Sequence, residues 1–254
     1  MTVPTSRRAL LGLGAATLVA GCDRLATAPA TVDLLGHTEK LTKAAQRLLI
    51  GRTALAAEFD RADISRNFRA NGSINVDDID YQADAARGFP DWRLEVTGLV
   101  KTPLSLSLAD LRALPQRAQI TRHDCVEGWS AIAEWQGPQL GALLARAGLL
   151  PNARYAVFHC ADNLGGGLSE GDRYYESIDL IDAFHPQTIL AHRMNGAPLG
   201  IPHGAPLRLR VERQLGYKQA KYILRIDLVD SFAALAGGKG GFWEDRGYEW
   251  YAGI

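Results

Sequence analysis

Sulfur is scarce in this chain of 254 residues, which carries 3 cysteines and 2 methionines. Three cysteines cannot build the dense disulfide framework of a small secreted domain. Excess charge of one sign is also missing, because 28 Lys and Arg balance 28 Asp and Glu. No net field draws in nucleic acid or an anionic membrane surface, so partners must be found through local sites. No internal stretch has the length and apolarity of a membrane span, and there is no repeat or low-complexity tract. No Gly-x-Gly-x-x-Gly opens a helix after a strand, and no Gly-x-x-x-x-Gly-Lys-Ser/Thr occurs, which removes the usual support for a nucleotide fold. A zinc site could draw on His123, Cys125, His159 and Cys160, but no Cys-x-x-Cys or His-Glu-x-x-His spacing supports it. What is plentiful is apolar residue content, 47%, enough for the core of one large domain or two small ones.

The N-terminus carries an export signal. "TSRRALLGLGAATLVAGC" joins Arg7 and Arg8 to a short apolar run from Ala9 to Ala20 that ends in small residues. The Ser6-Arg7-Arg8 start resembles a twin-arginine signal, the route for proteins already folded around a cofactor. The run closes on "LVAGC", which looks like a lipobox, with Cys22 as the acylated residue. Residues 1–22 are therefore expected to be signal, and the mature protein periplasmic, lipid-anchored to the inner membrane through Cys22. Simple cleavage, leaving Cys22 removed or free, is the plainer alternative.

From residue 23 to 60 the spacing of Leu41, Ala45, Leu48, Leu49 and Leu55 predicts one or two amphipathic helices. "DISRNFRANGSINVDD" reads as loop. "WRLEVTGLV" alternates as a strand, and "SLADLRALP" reads as a short helix with Ser107 as N-cap and Pro115 past its end. "QLGALLARAGLL" is a helix, "RYAVFHCAD" a strand, "IDLIDAF" helical, and "TILAHRMNGAPL" a strand running into a turn. "PLRLRVE" and "YILRIDLVD" are strands, and the Gly- and aromatic-rich tail "GGKGGFWEDRGYEWYAG" is expected to wrap the surface. The mixture lacks a regular βαβ rhythm, so residues 61–254 are expected to form an α+β domain.

Two internal cysteines follow the signal. Cys160 lies in an apolar strand, where a small thiol is packing material, whereas Cys125 in "TRHDCVEGW" is surrounded by His123, Asp124 and Glu127. A disulfide between them is the first pairing to weigh in an oxidising compartment, and their unlike surroundings argue against it. Cys125 has two chemical readings. A Cys/His nucleophile needs a thiolate with a base. A soft thiolate could instead hold the metal of a cofactor whose phosphate is gripped elsewhere. "HGAPLRLRVERQLGYKQAKYI" offers His203, Arg208 and Lys218 for such a grip, around Gly204 and Gly216, which permit close backbone approach. Taken singly, Arg208 and Arg210 read as solvated strand positions and Lys218 as a surface lysine.

Taken in order, "WRLEVTGLVKTPLSLSLADLRALP", "HDCVEGWSAIAEWQGPQLGALLARAG", "YYESIDL", "LAHRMNGAPLGIPHGAPLRLRV" and "GYKQAKYILRIDLVD" resemble the molybdopterin-binding domain of the sulfite oxidase family. The resemblance is strongest to the exported bacterial branch that includes the catalytic subunit of protein-methionine-sulfoxide reductase, and it spans nearly the whole mature chain. It implies a mixed-sheet fold with surrounding short helices and a molybdenum–molybdopterin cofactor. Cys125 would be the metal ligand, with His123, Asp124 and Glu127 as candidates for supporting or proton-transfer roles. Phe68 and Arg69 match a loop lying on the pterin, and Glu176 and Ser177 a segment near the metal pocket. His203, Arg208, Gly216, Tyr217 and Lys218 match the pterin and phosphate grip, while Trp129 and Trp135 read mainly as packing. The cysteine is followed by Val126, Glu127, Gly128 and Trp129, not the arginine-bearing motif of sulfite-oxidising members. The extra dimerisation domain of sulfite oxidases is not expected in the stretch after Lys218, nor is a haem domain.

The expected function is oxygen-atom or two-electron transfer on a small-molecule or sulfoxide-type substrate. The protein is expected to act as a monomer, with a membrane haem b protein or periplasmic cytochrome as redox partner. A cofactor-free binding lipoprotein on the same fold and a Cys-dependent thiol enzyme are the competing readings.

Overall fold

The structure is a computed structural model that describes residues 28–167 and 172–254. Residues 1–22, expected to be an export signal, and Cys22 with them, lie outside the described residues. The chain divides into two units, Met1–Ile50 and Gly51–Ile254.

In the first unit the described residues form helix α1 (Pro29–Leu49), with Pro29 in its first turn, where its missing N–H would have had no helical partner. Leu41, Leu48 and Leu49 are exposed. No helix among the described residues is long and apolar enough to cross a membrane. The helix stops at Leu49 rather than continuing towards Phe59. From Gly51 the chain joins the second unit, where the Phe59 N–H donates to the Ile120 carbonyl at 2.9 Å and the Ser65 N–H to Ile132 at 3.0 Å.

The second unit runs α2 (Ile79–Ala86), β1 (Arg93–Gly98), β2 (Leu104–Ser107), α3 (Leu108–Ala113), β3 (Gln116–Cys125), β4 (Trp129–Pro138), α4 (Leu140–Ala147), β5 (Tyr155–Asn163) and β6 (Arg173–Asp179). It continues through α5 (Leu180–Ala183), β7 (Ile189–Ala191), β8 (Arg193–Met194), β9 (Ala197–Pro198), β10 (Arg208–Arg210) and β11 (Ile223–Val229). One sheet has the order β2-β1-β11-β5-β6, in which only the β1/β11 pairing is parallel. A second has the order β3-β4-β8-β9, and β10 pairs with β7 alone. Mixed sheets flanked by short helices make an α+β fold.

Local chemistry explains most of these boundaries. Ser107 caps α3 as its spacing predicts: its Oγ accepts the Asp110 N–H at 3.1 Å while Asp110 accepts the Ser107 N–H at 2.9 Å. Asn195 and Gly196, both with positive φ, make the tight turn between β8 and β9. Leu94, Val96, Val157, Phe158, Ile226 and Leu228 from the larger sheet pack with Leu140, Leu143 and Leu144 of α4, all fully buried. Each such side chain contributes roughly 1.5–3 kcal/mol on leaving water.

The feature that positions the site is the β3–β4 hairpin, paired from Gln116↔Pro138 to Cys125↔Trp129. Gln119, Thr121 and His123 are buried along one face of β3, and the period of two carries that face to Cys125 at the tip. Val126, Glu127 and Gly128 close the turn, with Gly128 at φ 83° and its N–H on the Cys125 carbonyl at 3.1 Å.

Candidate active site

Cys125 opens onto a cavity of about 150 Å³ that is also lined by Glu127, Asp162, Gly216, Tyr217 and Lys221. Both described cysteines are free. Burial is the main influence on the Cys125 thiol and pushes it above its ordinary value, against the opposing pull of the Glu127 backbone N–H. That is the reverse of nucleophile activation. Beneath it, the His123 ring packs 5.7 Å from Phe68 and 5.5 Å from Trp129. Arg210 Nη1 lies 3.0 Å from His123 Nδ1, so Nδ1 accepts and the ring hydrogen sits on Nε2. Burial first, then Arg210 and Arg208, hold this imidazole well below its ordinary value and therefore neutral.

Gly216 lets the chain approach this ring: a Cβ there would lie 2.6 Å from His123 Nε2 and 3.2 Å from the Asp124 carbonyl. Gly204 plays the same part beyond it, at φ 101°, where a Cβ would stand 2.8 Å from Lys221 Cβ.

Next to these glycines lies a cluster of buried basic groups with no direct ion pair among the described residues, on which Glu212 and Asp162 act only from further off. Arg208 is fully buried, contrary to the solvated strand position its sequence suggested, and donates only Nη1, to the His203 carbonyl at 3.0 Å. Its Nε and Nη2 have no partner. Burial and the nearby Arg210 pull this guanidinium down to about 9. Lys221, also buried, places Nζ 3.0 Å from the Pro202 carbonyl and against that of Ser73. Burial and Arg208 bring it down to about 7. His203 Nδ1 is buried without a partner, and burial, Arg208 and Lys221 lower its ring. Buried cations are ordinarily paired. Arg210 alongside shows the contrast, its guanidinium held by Glu212 at 2.5 and 3.0 Å. Trp135 insulates both arginines, with guanidinium carbons 4.8 and 4.3 Å from its ring centre. Donors left open in a dry pocket fit an anionic ligand such as a phosphate ester.

The other expected residues are placed as follows. Phe68 sits among His123, Trp129, Trp135 and His203 with ring centres 5.4–6.1 Å apart. Arg69 is exposed, 3.8 Å from Glu127. Asp124 faces away from the cavity, taking Arg122 Nε at 2.9 Å and the Ser130 hydroxyl at 2.5 Å. Glu176 and Lys218 lie behind the cavity wall. Lys218 Nζ is fully buried between Glu176 and Glu244, which take two of its three N–H donors and neutralise its charge. The Ser177 hydroxyl donates to the Gly240 carbonyl and accepts Trp250 Nε1 at 2.8 Å. His159 pairs with Asp227 at 3.0 Å. Among the described residues no three His, Cys, Asp or Glu side chains are grouped to hold a metal ion, so the zinc set is not assembled.

The sequence model described as "Oxidoreductase molybdopterin binding domain" matches residues 80–234. The chain belongs to this family. It is a molybdopterin-binding oxidoreductase. Similarity extends beyond the matched residues. The chain is 36% identical to a putative protein-methionine-sulfoxide reductase subunit, YedZ1, of Azospira oryzae, over 98% of this chain and 88% of that protein. It is 36% identical to the protein-methionine-sulfoxide reductase catalytic subunit MsrP of Ralstonia nicotianae, over 68% of this chain and 53% of that one. The corresponding subunit of Xanthomonas campestris is also 36% identical, over 57% and 47%. The chain therefore spans about half the length of the two MsrP relatives. The sulfane dehydrogenase SoxCD of Paracoccus pantotrophus superposes with a TM-score of 0.49 at 26% identity, over 56% of this chain and 39% of that one.

Sequence reasoning missed Lys221, Asp162, Trp243 and Tyr248, all of which line the cavity. Lys221 gave one signal, its place in the same "GYKQAKY" run as Lys218.

Proposed function

We propose that this molybdopterin oxidoreductase is exported and reduces a sulfoxide-type substrate, taking up two electrons and two protons and releasing the sulfide and water. The observation that carries the proposal is a single arrangement: the Cys125 thiol opens onto a cavity also lined by Lys221, and behind Lys221 lies the buried Arg208 with its Nε and Nη2 unpartnered. The names of the relatives, protein-methionine-sulfoxide reductase subunits, support the substrate class.

When bound, the molybdenum–molybdopterin group supplies the two-electron, oxygen-atom exchange that no side chain can perform. Cys125 would ligate the metal, giving up the proton that burial otherwise keeps on it. Arg208 presents a planar fork and Lys221 a point charge to an anionic tail, with His203 beside them. Neutral His123, fixed by Arg210, keeps its ring hydrogen on Nε2. Phe68 and Trp135 exclude water from that end. Glu127, partly exposed at the hairpin tip and lining the cavity, would move a proton between solvent and substrate.

The Ser6-Arg7-Arg8 start and "LVAGC" support export by the twin-arginine route and lipid attachment at Cys22 on the periplasmic side. Electrons would reach a monomer from a separate membrane haem b protein or periplasmic cytochrome.

The test is elemental analysis of exported protein beside Cys125→Ala, followed by reduction of methionine sulfoxide with a reduced dye. About one molybdenum per wild-type chain, with turnover falling to background in folded Cys125→Ala, is the expected result. Turnover retained in the variant, or a folded exported protein free of molybdenum, overturns the proposal.

A further inference from the structure

The lining of the cavity beside Cys125 is of two kinds. Asp162, Gln219 and Lys221 are polar, and Lys221 belongs to the buried basic cluster. Tyr217, Trp243 and Tyr248 form one connected aromatic group, to which Val126 and Leu164 add apolar surface. Val126, Leu164 and Tyr248 remain 43%, 37% and 41% exposed, so apolar surface lines the way to the thiol. An aromatic wall with a few polar groups is the composition of a small-molecule site.

Trp243 and Tyr248 lie beyond residue 234, where the family match ends. They belong to a C-terminal strap anchored in several places. Glu244 is paired to Lys218, and Phe242 is buried. Asp245 accepts the Gly237 and Lys239 N–H groups at 2.9 and 3.0 Å and the Tyr175 hydroxyl at 2.5 Å. The far end is tied by the Leu215 N–H to the Ala252 carbonyl at 2.9 Å and by the Ile254 N–H to Arg213 at 3.1 Å. Between these anchors the Tyr248 ring lies 5.3 Å from Trp243, tilted 30°, and 5.1 Å from Tyr217, edge-on at 89°. Tyr217 is itself fixed by its hydroxyl on the Glu249 carbonyl at 2.6 Å. Such a wall is rigid, and its rings offer faces and edges to an apolar group.

We infer that the strap selects the substrate: Trp243 and Tyr248 grip an apolar alkyl or aryl arm on the sulfur, while the oxide end points towards Cys125. The inference rests on the sulfoxide-reductase reading and adds which part of the substrate is recognised, and by what. A substrate with no arm, such as dimethyl sulfoxide, gains nothing from the wall, whereas methyl phenyl sulfoxide does.

The experiment compares these two sulfoxides on molybdenum-loaded wild type, Tyr248→Ala and Trp243→Phe. Turnover is followed with a reduced dye, and binding of methyl phenyl sulfoxide is measured separately by calorimetry on the oxidised enzyme. In Tyr248→Ala, both KM and Kd for methyl phenyl sulfoxide are expected to rise about tenfold, the loss of one good aromatic contact. The kcat and the KM for dimethyl sulfoxide stay within about twofold, and Trp243→Phe, which keeps an aromatic face, stays near wild type. Equal shifts for both sulfoxides, or none, overturn the inference and leave the reductase reading standing. If wild type reduces neither sulfoxide, the reductase reading falls, and calorimetry still judges the strap. A tenfold weaker Kd in Tyr248→Ala supports it, and unchanged or undetectable binding overturns it.

Discussion

Lys218 and Lys221 stand one turn apart in "GYKQAKY", and both are buried, yet their surroundings are opposite. Lys218 lies between Glu176 and Glu244, whose charges raise it above the ordinary lysine value against the opposing effect of burial. Lys221 bonds only to carbonyls; burial and the field of Arg208 outweigh the opposing pull of Asp162, and it falls to about 7. A neutralised buried cation is structural: Lys218 ties the C-terminal strap to β6. An unneutralised one is costly by itself, and such a cost persists where a ligand removes it. Here the compensating charge would come from the cofactor, so the resemblance's assignment of phosphate binding to Lys218 passes more naturally to Lys221.

Breaking the structural partner is expected to have the largest effect. Lys218→Met leaves Glu176 and Glu244 facing each other in a dry site, and removing one partner of a buried ion pair costs about 3–5 kcal/mol. Burial and Glu244 already push the Glu176 carboxyl well up, so proton uptake recovers part of the loss. In a chain of this size the cofactor-free protein should melt roughly 10 °C lower in a calorimetric scan. A change of only a degree or two would mean that the triad does not anchor the strap.

Lys221→Met should behave in the opposite way. Removing an unpaired buried charge leaves the cofactor-free protein as stable or about 1 kcal/mol more stable. Losing a charge-assisted contact of about 1.5–3 kcal/mol weakens cofactor retention roughly 10- to 100-fold, read as molybdenum content after dialysis. If Lys221→Met holds molybdenum while Lys218→Met folds normally and loses it, the assignment reverts to Lys218.

The difference between the two lysines explains what the sequence could show. Strands and caps were legible because their causes are local: alternation in β1 and β11, the Ser107–Asp110 box, the Asn195-Gly196 turn. Cys125 stood out through its charged neighbours, and the hairpin tip places it at the cavity. Burial of charge was not legible, because it depends on segments distant in sequence. Arg208 and Arg210 alternate like solvated strand residues, yet both are buried against Trp135, and only the reach of Glu212 to Arg210 makes one a member of an internal pair and leaves the other with open donors. The tail read as a surface wrap because nothing in "GFWEDRGYEWY" says that Glu244 meets Lys218, the contact that seats Trp243 and Tyr248 in the cavity wall.

The subtlest effect is a slope in pH. Lys221 has a folded value near 7 against about 10.4 when unfolded, so between these limits the unfolded chain carries a proton that the folded one lacks. Stability of the cofactor-free protein must therefore rise with pH, by at most about 1.4 kcal/mol per unit. The penalty of the charged ammonium is fully present below pH 7 and is relieved above it. The clean window is about pH 7 to 8.5. Below it the lowered histidines, His123, His185, His192 and His203, titrate in the unfolded chain. Above it Cys125 and Cys160, whose thiols burial raises, give a slope of opposite sign, and Arg208, held at about 9, gives one of the same sign. Urea unfolding at pH 7.0, 7.75 and 8.5 should show the rise in wild type and its loss in Lys221→Met. An anion held by Lys221 restores its charge to the folded state, so the same series on loaded protein should be flat. A rise that survives loading would mean that the bound cofactor does not neutralise Lys221.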